Sequence, residues 1–341
     1  VTPTNAVAAT IARDRRQVLS DLAALTKPRV VVMVLVTTAV GYDVGLAGPP
    51  DYVRLLHTLI GTMLAAGGTL ALNQYVERDV DALMARTRAR PLPDGRLAPV
   101  EALVFATAIT VLGLAYLAVS VNALTAGIVG LTAALYLGAY TPLKRVTPLC
   151  TLVGAVPGAL PPVAGWAAAR DDLGSGAWVL FAILFLWQVP HTLAIGRLYR
   201  DDYARGGIRI LPVVDGSGSA TERHALAGSL ALLAVSVLPT ALGIAGPVYL
   251  SGAVLLGAAL VVLGGMQARM PSAVTARRVL FGTLLYLPLV LGLLAVDVRR
   301  DGPDGRGDAP VRRADAPGMA ADTPALGSAP AQPWRSSTTV R

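Results

Sequence analysis

The sequence predicts an all-α, multi-pass membrane bundle of nine transmembrane helices, and three observations carry that expectation. Of 341 residues, 54% are hydrophobic and only 15% charged, against roughly a quarter charged in an average soluble domain, and mean hydropathy is +0.59. A chain this apolar cannot clothe a water-facing surface, so its solvent is lipid. Next, nine apolar stretches each approach the roughly 20 helical residues needed to cross a hydrocarbon core of about 30 Å. Finally, the basic residues gather on alternate connections, the signature of a polytopic chain.

The elements follow in order. Residues 1–26 form an N-terminal cytoplasmic segment: Arg13, Arg15 and Arg16 precede mixed polarity, which is not the pattern of a secretory signal. Val18 to Leu25 reads as a short interfacial helix. The stretches fall near 29–47, 55–76, 101–120, 122–142, 149–169, 176–197, 225–245, 248–267 and 279–298. None shows period-two alternation, which excludes a membrane β-barrel. The fifth is irregular, with Pro157, Pro161 and Pro162; inside a bundle, neighbours or water must satisfy the backbone groups that prolines free. The membrane domain therefore spans 27–298. Residues 299–341, rich in Pro, Ala, Gly, Asp and Arg, read as a disordered tail that cannot bury a core.

Orientation comes from the loops. With the N-terminus inside, one inner segment holds Lys27 and Arg29, and the next holds Arg78, Arg86, Arg88, Arg90 and Arg96, while the short outer loops hold only Arg54 and Arg170. Under the positive-inside rule this places the N-terminus and the basic loops in the cytoplasm and the tail outside a cell membrane. Trp166 and Trp178 fall where an outer aromatic belt would put them. The net charge of +8 thus reflects topology, and no nucleic-acid partner is expected. A single cysteine, Cys150, excludes an intrachain disulfide and any Cys-rich metal cluster.

The inner loops carry more than topology charges. Asn73, Glu77 and Asp81 are spaced four apart, so on a helix they make one stripe of hard oxygen ligands at the inner end of the second stretch. Mg2+ favours such ligands and is usually completed by water and substrate phosphates. Arg86 and Arg90 repeat the spacing and suit a diphosphate, because guanidinium forks match phosphate oxygens. Asp79 points elsewhere on a regular helix. A second cluster, Arg200, Asp201, Asp202 and Arg205, ends the sixth stretch. Two four-helix halves would bring the clusters face to face. Lys27, Lys144 and Arg145 complete the basic inventory. The alternative for both clusters is solvated charge at helix ends, and for the lysines ordinary snorkelling.

These residues carry a resemblance. Asn73-x3-Glu77-x3-Asp81 followed by Arg86-Thr-Arg-Ala-Arg90-Pro resembles the first aspartate motif of the UbiA intramembrane prenyltransferase superfamily. Four more strings resemble its haem-farnesylating members: Leu25-Thr-Lys27-Pro-Arg29, Tyr140-Thr-Pro-Leu-Lys144-Arg145, Trp187-Gln188-Val-Pro190-His191, and Tyr199-Arg-Asp201-Asp202-Tyr203 leading to Leu211-Pro212-Val213. The motifs run from about residue 25 to 215. Two departures stand out: Glu77 where the family usually has Asp, and Gly206 where an Asp-x3-Asp second motif starting at Asp202 would end.

The resemblance implies a cytoplasm-facing central cavity and transfer of farnesyl from farnesyl diphosphate, with water, to a vinyl group of haem B. The product, haem O, serves haem A/O-type terminal oxidases, which makes haem A synthase the expected downstream partner. Asn73, Glu77, Asp81 and Asp202 would hold Mg2+, and Asp201 would assist in catalysis. Lys27, Arg86, Arg90, Lys144, Arg145 and Arg200 would bind the diphosphate, and His191 would bind haem. His191 is the histidine lying well inside a stretch, where an ionisable residue points to function by default; its bland reading is a buried ring bonded to a carbonyl freed by Pro190. Rival functions are a relative acting on a quinone precursor or chlorophyll-type ring, which shares the acidic motif, and a transporter, which would place its acids near the midplane.

Overall fold

A computed structural model describes residues 15–217 and 219–299, and these form one helical body. Among them are nine helices long and apolar enough to cross a membrane: Pro28–Gly45, Tyr52–Asp81, Pro99–Ser120, Ala123–Leu143, Cys150–Arg170, Ser175–Leu198, Ser219–Ala241, Pro247–Arg269 and Ala273–Val296, called spans one to nine below. A shorter helix, Arg15–Leu25, precedes them, covering the segment expected to be helical. The tail 299–341 lies outside the described residues except for Arg299.

Span two is longer than its apolar stretch. The helix continues through Glu77 to Asp81 because polar residues do not interrupt the backbone ladder, and Asp81 is buried. Span seven likewise starts six residues before its apolar stretch, over a buried Glu222. Outward-facing apolar side chains are abundant, Val119, Leu255 and Val296 among them, as lipid requires.

Two irregularities shape the interior. Span five breaks at Leu160, between helices Cys150–Ala159 and Pro161–Arg170, where the successive prolines remove amide donors. Span four widens into a π-helical turn over Leu135–Tyr140 just before Pro142. There the Thr141 amide bonds back to Tyr136 O. Such turns are short and tend to mark functional positions; this one carries Tyr136 and Tyr140.

Spans six to nine form a closed four-helix group, six on seven, seven on eight, eight on nine and nine on six, while spans one to four pack with the second half of span five. Spans one and five meet through glycine, with Gly41 against the Pro162 backbone and Gly165 against Thr38 O. Trp166 departs from the aromatic-belt expectation: it is buried, packed near Gly174 and Gly176, and donates to Asp172 at 3.1 Å. Trp178 remains exposed.

Candidate active site

The inner ends of spans two and six meet. Asp202 is buried and reaches across to the loop after span two, accepting from Ala85 N at 2.8 Å and Arg86 N at 3.3 Å. Arg205 donates to the same carboxylate at 2.6 Å. Burial tends to raise this carboxyl, but the Arg205 bond and the two amides outweigh it and hold Asp202 below the usual carboxylate range. Its oxygens are thus committed to holding the loop.

Under that loop lies a polar chamber of about 110 Å³ lined by Glu77, Asp81, Arg86, Arg90, Lys144 and Tyr203, with apolar side chains between them. Helical spacing brings Asn73, Glu77 and Asp81 onto one side of span two, as expected from the sequence. Lys144 donates to both Glu77 oxygens, at 2.8 and 3.1 Å, and Arg90 donates to Asp81 at 2.6 Å. Asn73 turns its amide nitrogen to Thr141 at 3.1 Å and its carbonyl oxygen to Lys27 Nζ at 3.4 Å. Two acids face four cations here, counting Lys27, so this end of the site carries a positive excess suited to an anion.

Lys27 sits immediately before span one with φ of 50°, a left-handed conformation costly for a side chain with a Cβ. Burial, then the like charges of Arg90 and Lys144, lowers its ammonium from 10.5 to about 8, while Glu77 and Asp81 pull the other way. Arg86 lies 5.5 and 5.4 Å from the ring centres of Tyr199 and Tyr203. Lys144 sits 4.3 Å from that of Tyr140.

Tyr140, Thr151 and Thr192 line this chamber and also a second one of about 280 Å³. The second is largely apolar, walled by Val30, Val34, Leu70, Val129, Ala155 and Pro157 among others. The two share a wall, one charged and one greasy. Tyr136, Thr151 and Thr192 complete this arrangement without any sequence signal of their own, whereas Thr141, the partner of the Asn73 amide, lies within the Tyr140–Arg145 string.

Other expected site residues lie apart from both chambers. Asp201 and Arg145 are exposed, Arg200 is half-exposed, and none lines either chamber. Asp79 is exposed beside Arg78. His191 lines neither chamber; its Nδ1 meets Thr283 Oγ1 at 3.0 Å on span nine, and its ring stacks on Trp187.

For Mg2+ the donor set is two carboxylates and one amide oxygen. No group of three or more His, Cys, Asp or Glu side chains able to hold a metal occurs among the described residues. Hard oxygens suit the ion, and so small a set suits one that keeps waters and phosphate oxygens as ligands. The residues fit a metal that arrives with its phosphate, not an all-protein cage.

A polytopic helical bundle in which a cation-rich oxygen stripe adjoins an apolar chamber is the architecture of a membrane enzyme. The chain belongs to the UbiA prenyltransferase family, whose model matches residues 34–294. It is 48% identical over 288 residues, 82% of this chain and 99% of the relative, to the protoheme IX farnesyltransferase of Solibacter usitatus (strain Ellin6076). Its fold is similar to a solved structure described as digeranylgeranylglyceryl phosphate synthase, with TM-score 0.70, 18% identity and coverage of 82% and 98% of the two chains. It is also similar to a UbiA homolog from Archaeoglobus fulgidus bound to GPP and Mg2+, with TM-score 0.56, 14% identity and coverage of 81% and 99%.

Proposed function

We propose that this chain is a protohaem IX farnesyltransferase, converting haem B, farnesyl diphosphate and water to haem O and diphosphate in the membrane. The observation that carries the reading is the shared wall between the charged and the apolar chamber, supported by the 48% identity to a relative of that name. A farnesyl diphosphate has one end for each.

Asn73, Glu77 and Asp81 would hold Mg2+, which supplies positive charge to the departing diphosphate. The protein's own part is wider. Arg86, Arg90 and Lys144, with Lys27 at the edge, neutralise charge that grows on the diphosphate as the farnesyl C–O bond lengthens. Arg90 and Lys144 begin paired to Asp81 and Glu77, so the carboxylates hold the cations in place until an anion enters. The apolar walls keep water from the allylic cation. The vinyl π pair of haem B forms the new bond to farnesyl C1, the C–O electrons leave with the diphosphate, and a water oxygen then closes on the resulting cation and loses a proton. Asp202 takes part indirectly by fixing the loop that carries Arg86; Asp201, Arg145 and Arg200 remain a more distant electrostatic collar.

The N-terminus and the loops of the polar chamber lie in the cytoplasm, following the basic-residue asymmetry, and the chamber opens to that side of the cell membrane. Haem A synthase is the proposed recipient of the product. Purified protein given farnesyl diphosphate, haem B and Mg2+ should yield haem heavier by a hydrated farnesyl group in the mass spectrum. A farnesylated quinone precursor with unmodified haem would move the assignment to another branch of the family.

The Lys27 ammonium supplies a pH dependence. Raising pH through about 8 removes its charge and weakens the attraction for the diphosphate, so kcat/KM for farnesyl diphosphate should fall across that range. The free-enzyme value is the one kcat/KM reports. Lys27→Arg should flatten this alkaline limb, since a guanidinium stays charged. An unchanged limb in Lys27→Arg would assign it to another group.

A further inference from the structure

We propose that Thr283 is a positioning residue: it holds His191 as the Nδ1–H tautomer, and so leaves Nε2 bare to ligate the iron of haem B at the junction of spans six and nine. This rests on the haem reading above and assigns a part to a residue of span nine.

One hydroxyl sets the polarity. Thr283 Oγ1 lies 2.7 Å from Leu280 O, to which it donates. A threonine hydroxyl has one hydrogen. With that hydrogen committed to a carbonyl, Oγ1 can only accept from His191 Nδ1, 3.0 Å away, so the proton of a neutral imidazole must sit on Nδ1. The lone pair is then on Nε2.

The ring is also held in place. Thr283 is fully buried, and Trp187 Nε1 donates to its carbonyl oxygen at 2.8 Å. The Trp187 ring lies 4.6 Å from the imidazole at an interplanar angle of 20°. Span six therefore grips the Thr283 turn at two points one helical turn apart, Trp187 and His191, and the imidazole has little freedom to rotate.

The free nitrogen has no competing partner. No hydrogen bond to His191 Nε2 occurs among the described residues and the residue is only half-buried, so the Nε2 lone pair is uncommitted. A neutral imidazole nitrogen is a common iron ligand. Ligating histidines characteristically donate their other ring N–H to an oxygen that fixes tautomer and orientation and strengthens the donor nitrogen. The chain His191 N–H to Thr283 O–H to Leu280 C=O supplies that, each bond polarising the next. A histidine that merely tied spans six and nine together could use a hydrogen bond of either polarity, whereas ligation through Nε2 requires this one, with Nδ1 as the donor.

The place is also suitable for the acceptor. His191 lines neither chamber, whereas its neighbour Thr192 lines both. Iron on Nε2 would leave the chambers to the farnesyl diphosphate and hold the porphyrin beside their wall.

The test uses the full chain in detergent with haem B as probe, read by the Soret band and by titration. Farnesyl diphosphate binding is measured in parallel. His191→Ala should lose the histidine-ligated spectrum. Thr283→Val keeps the shape but removes the acceptor, and should weaken haem affinity about 10–100-fold with a shifted Soret band. Thr283→Ser should restore both. Farnesyl diphosphate binding should stay near wild type in all three.

Wild-type haem affinity and spectrum in Thr283→Val, with His191→Ala impaired, would overturn the role of Thr283 and leave His191 as the ligand. An unchanged spectrum in His191→Ala would overturn the inference as a whole, while the transfer activity would still stand on its own mass-spectrometric test. Should Thr283→Val fail to fold, NMR of isotope-labelled histidine in the wild-type protein decides. The expected signal for His191 is a protonated Nδ1 and a bare Nε2, and the opposite tautomer overturns the proposal.

Discussion

Asp81→Asn should lower haem farnesylation by about 10³-fold or more while leaving the bundle folded. Asp81 is buried at the inner end of span two, where its carboxylate takes a 2.6 Å bond from Arg90. Asparagine keeps the size and one oxygen to accept that bond, but it removes one of only two negative charges in the polar chamber. The pull on a metal-chelated diphosphate falls with it. Losing a single electrostatic contact at such a site typically costs about 10²–10³ in rate, and losing hold of a metal costs more. Stability should change little, because helix packing in lipid holds the bundle together. Asp79→Asn is the matched control: that carboxylate is exposed, beside Arg78 at 3.7 Å, and its loss should cost no more than a few-fold. The measurement is product haem per unit time at saturating Mg2+, with size-exclusion profiles alongside. Turnover within a few-fold of wild type in Asp81→Asn would remove the stripe from the chemistry.

Gly165→Val should abolish the folded protein. A Cβ at Gly165 would meet Thr38 O and lie 2.7 Å from Tyr42 N, both backbone atoms of span one. The contact is reciprocal, since a Cβ at Gly41 would strike the Pro162 carbonyl group, with its carbon at 2.6 Å. Backbone inside two packed helices has nowhere to go, so relief requires the spans to separate. Overpacking of ordinary cores costs about 1–3 kcal/mol; here it acts on backbone and should exceed that range. Small residues at helix crossings are how membrane bundles gain close packing. The separation would also open the apolar chamber, whose wall includes Val30 and Val34 of span one with Pro161 and Ala164 of span five. Gly127→Ala, where a Cβ meets nothing within 4 Å, should behave as wild type. Monodisperse, thermally normal Gly165→Val would contradict the crossing.

Much of this molecule is legible in the order of its amino acids. Hydropathy alone locates nine spans to within a few residues at most ends, because the cost of unsatisfied backbone in lipid leaves helices as the only choice for such stretches. The four-residue spacing of Asn73, Glu77 and Asp81 specifies one face, since an α-helix turns 3.6 residues per turn. That is local geometry, and local geometry is readable.

What residue order does not convey is which groups from distant segments share a space. Asp202 reads as a metal ligand by type, yet its oxygens are taken up by amides more than a hundred residues away. His191 reads as an ionisable group well inside a stretch, but its partners, the Trp187 ring and the Thr283 hydroxyl of span nine, are not legible there. Gly41 and Gly165 look ordinary along the chain and become a crossing only when two spans touch. The number of spans and which stripe carries the acids follow from solvent and helical periodicity, and both of these act on neighbours in the chain. Which cation holds which carboxylate, where the charged chamber meets the apolar one and which tautomer His191 adopts depend on distances between residues far apart in the chain, and only packing sets those.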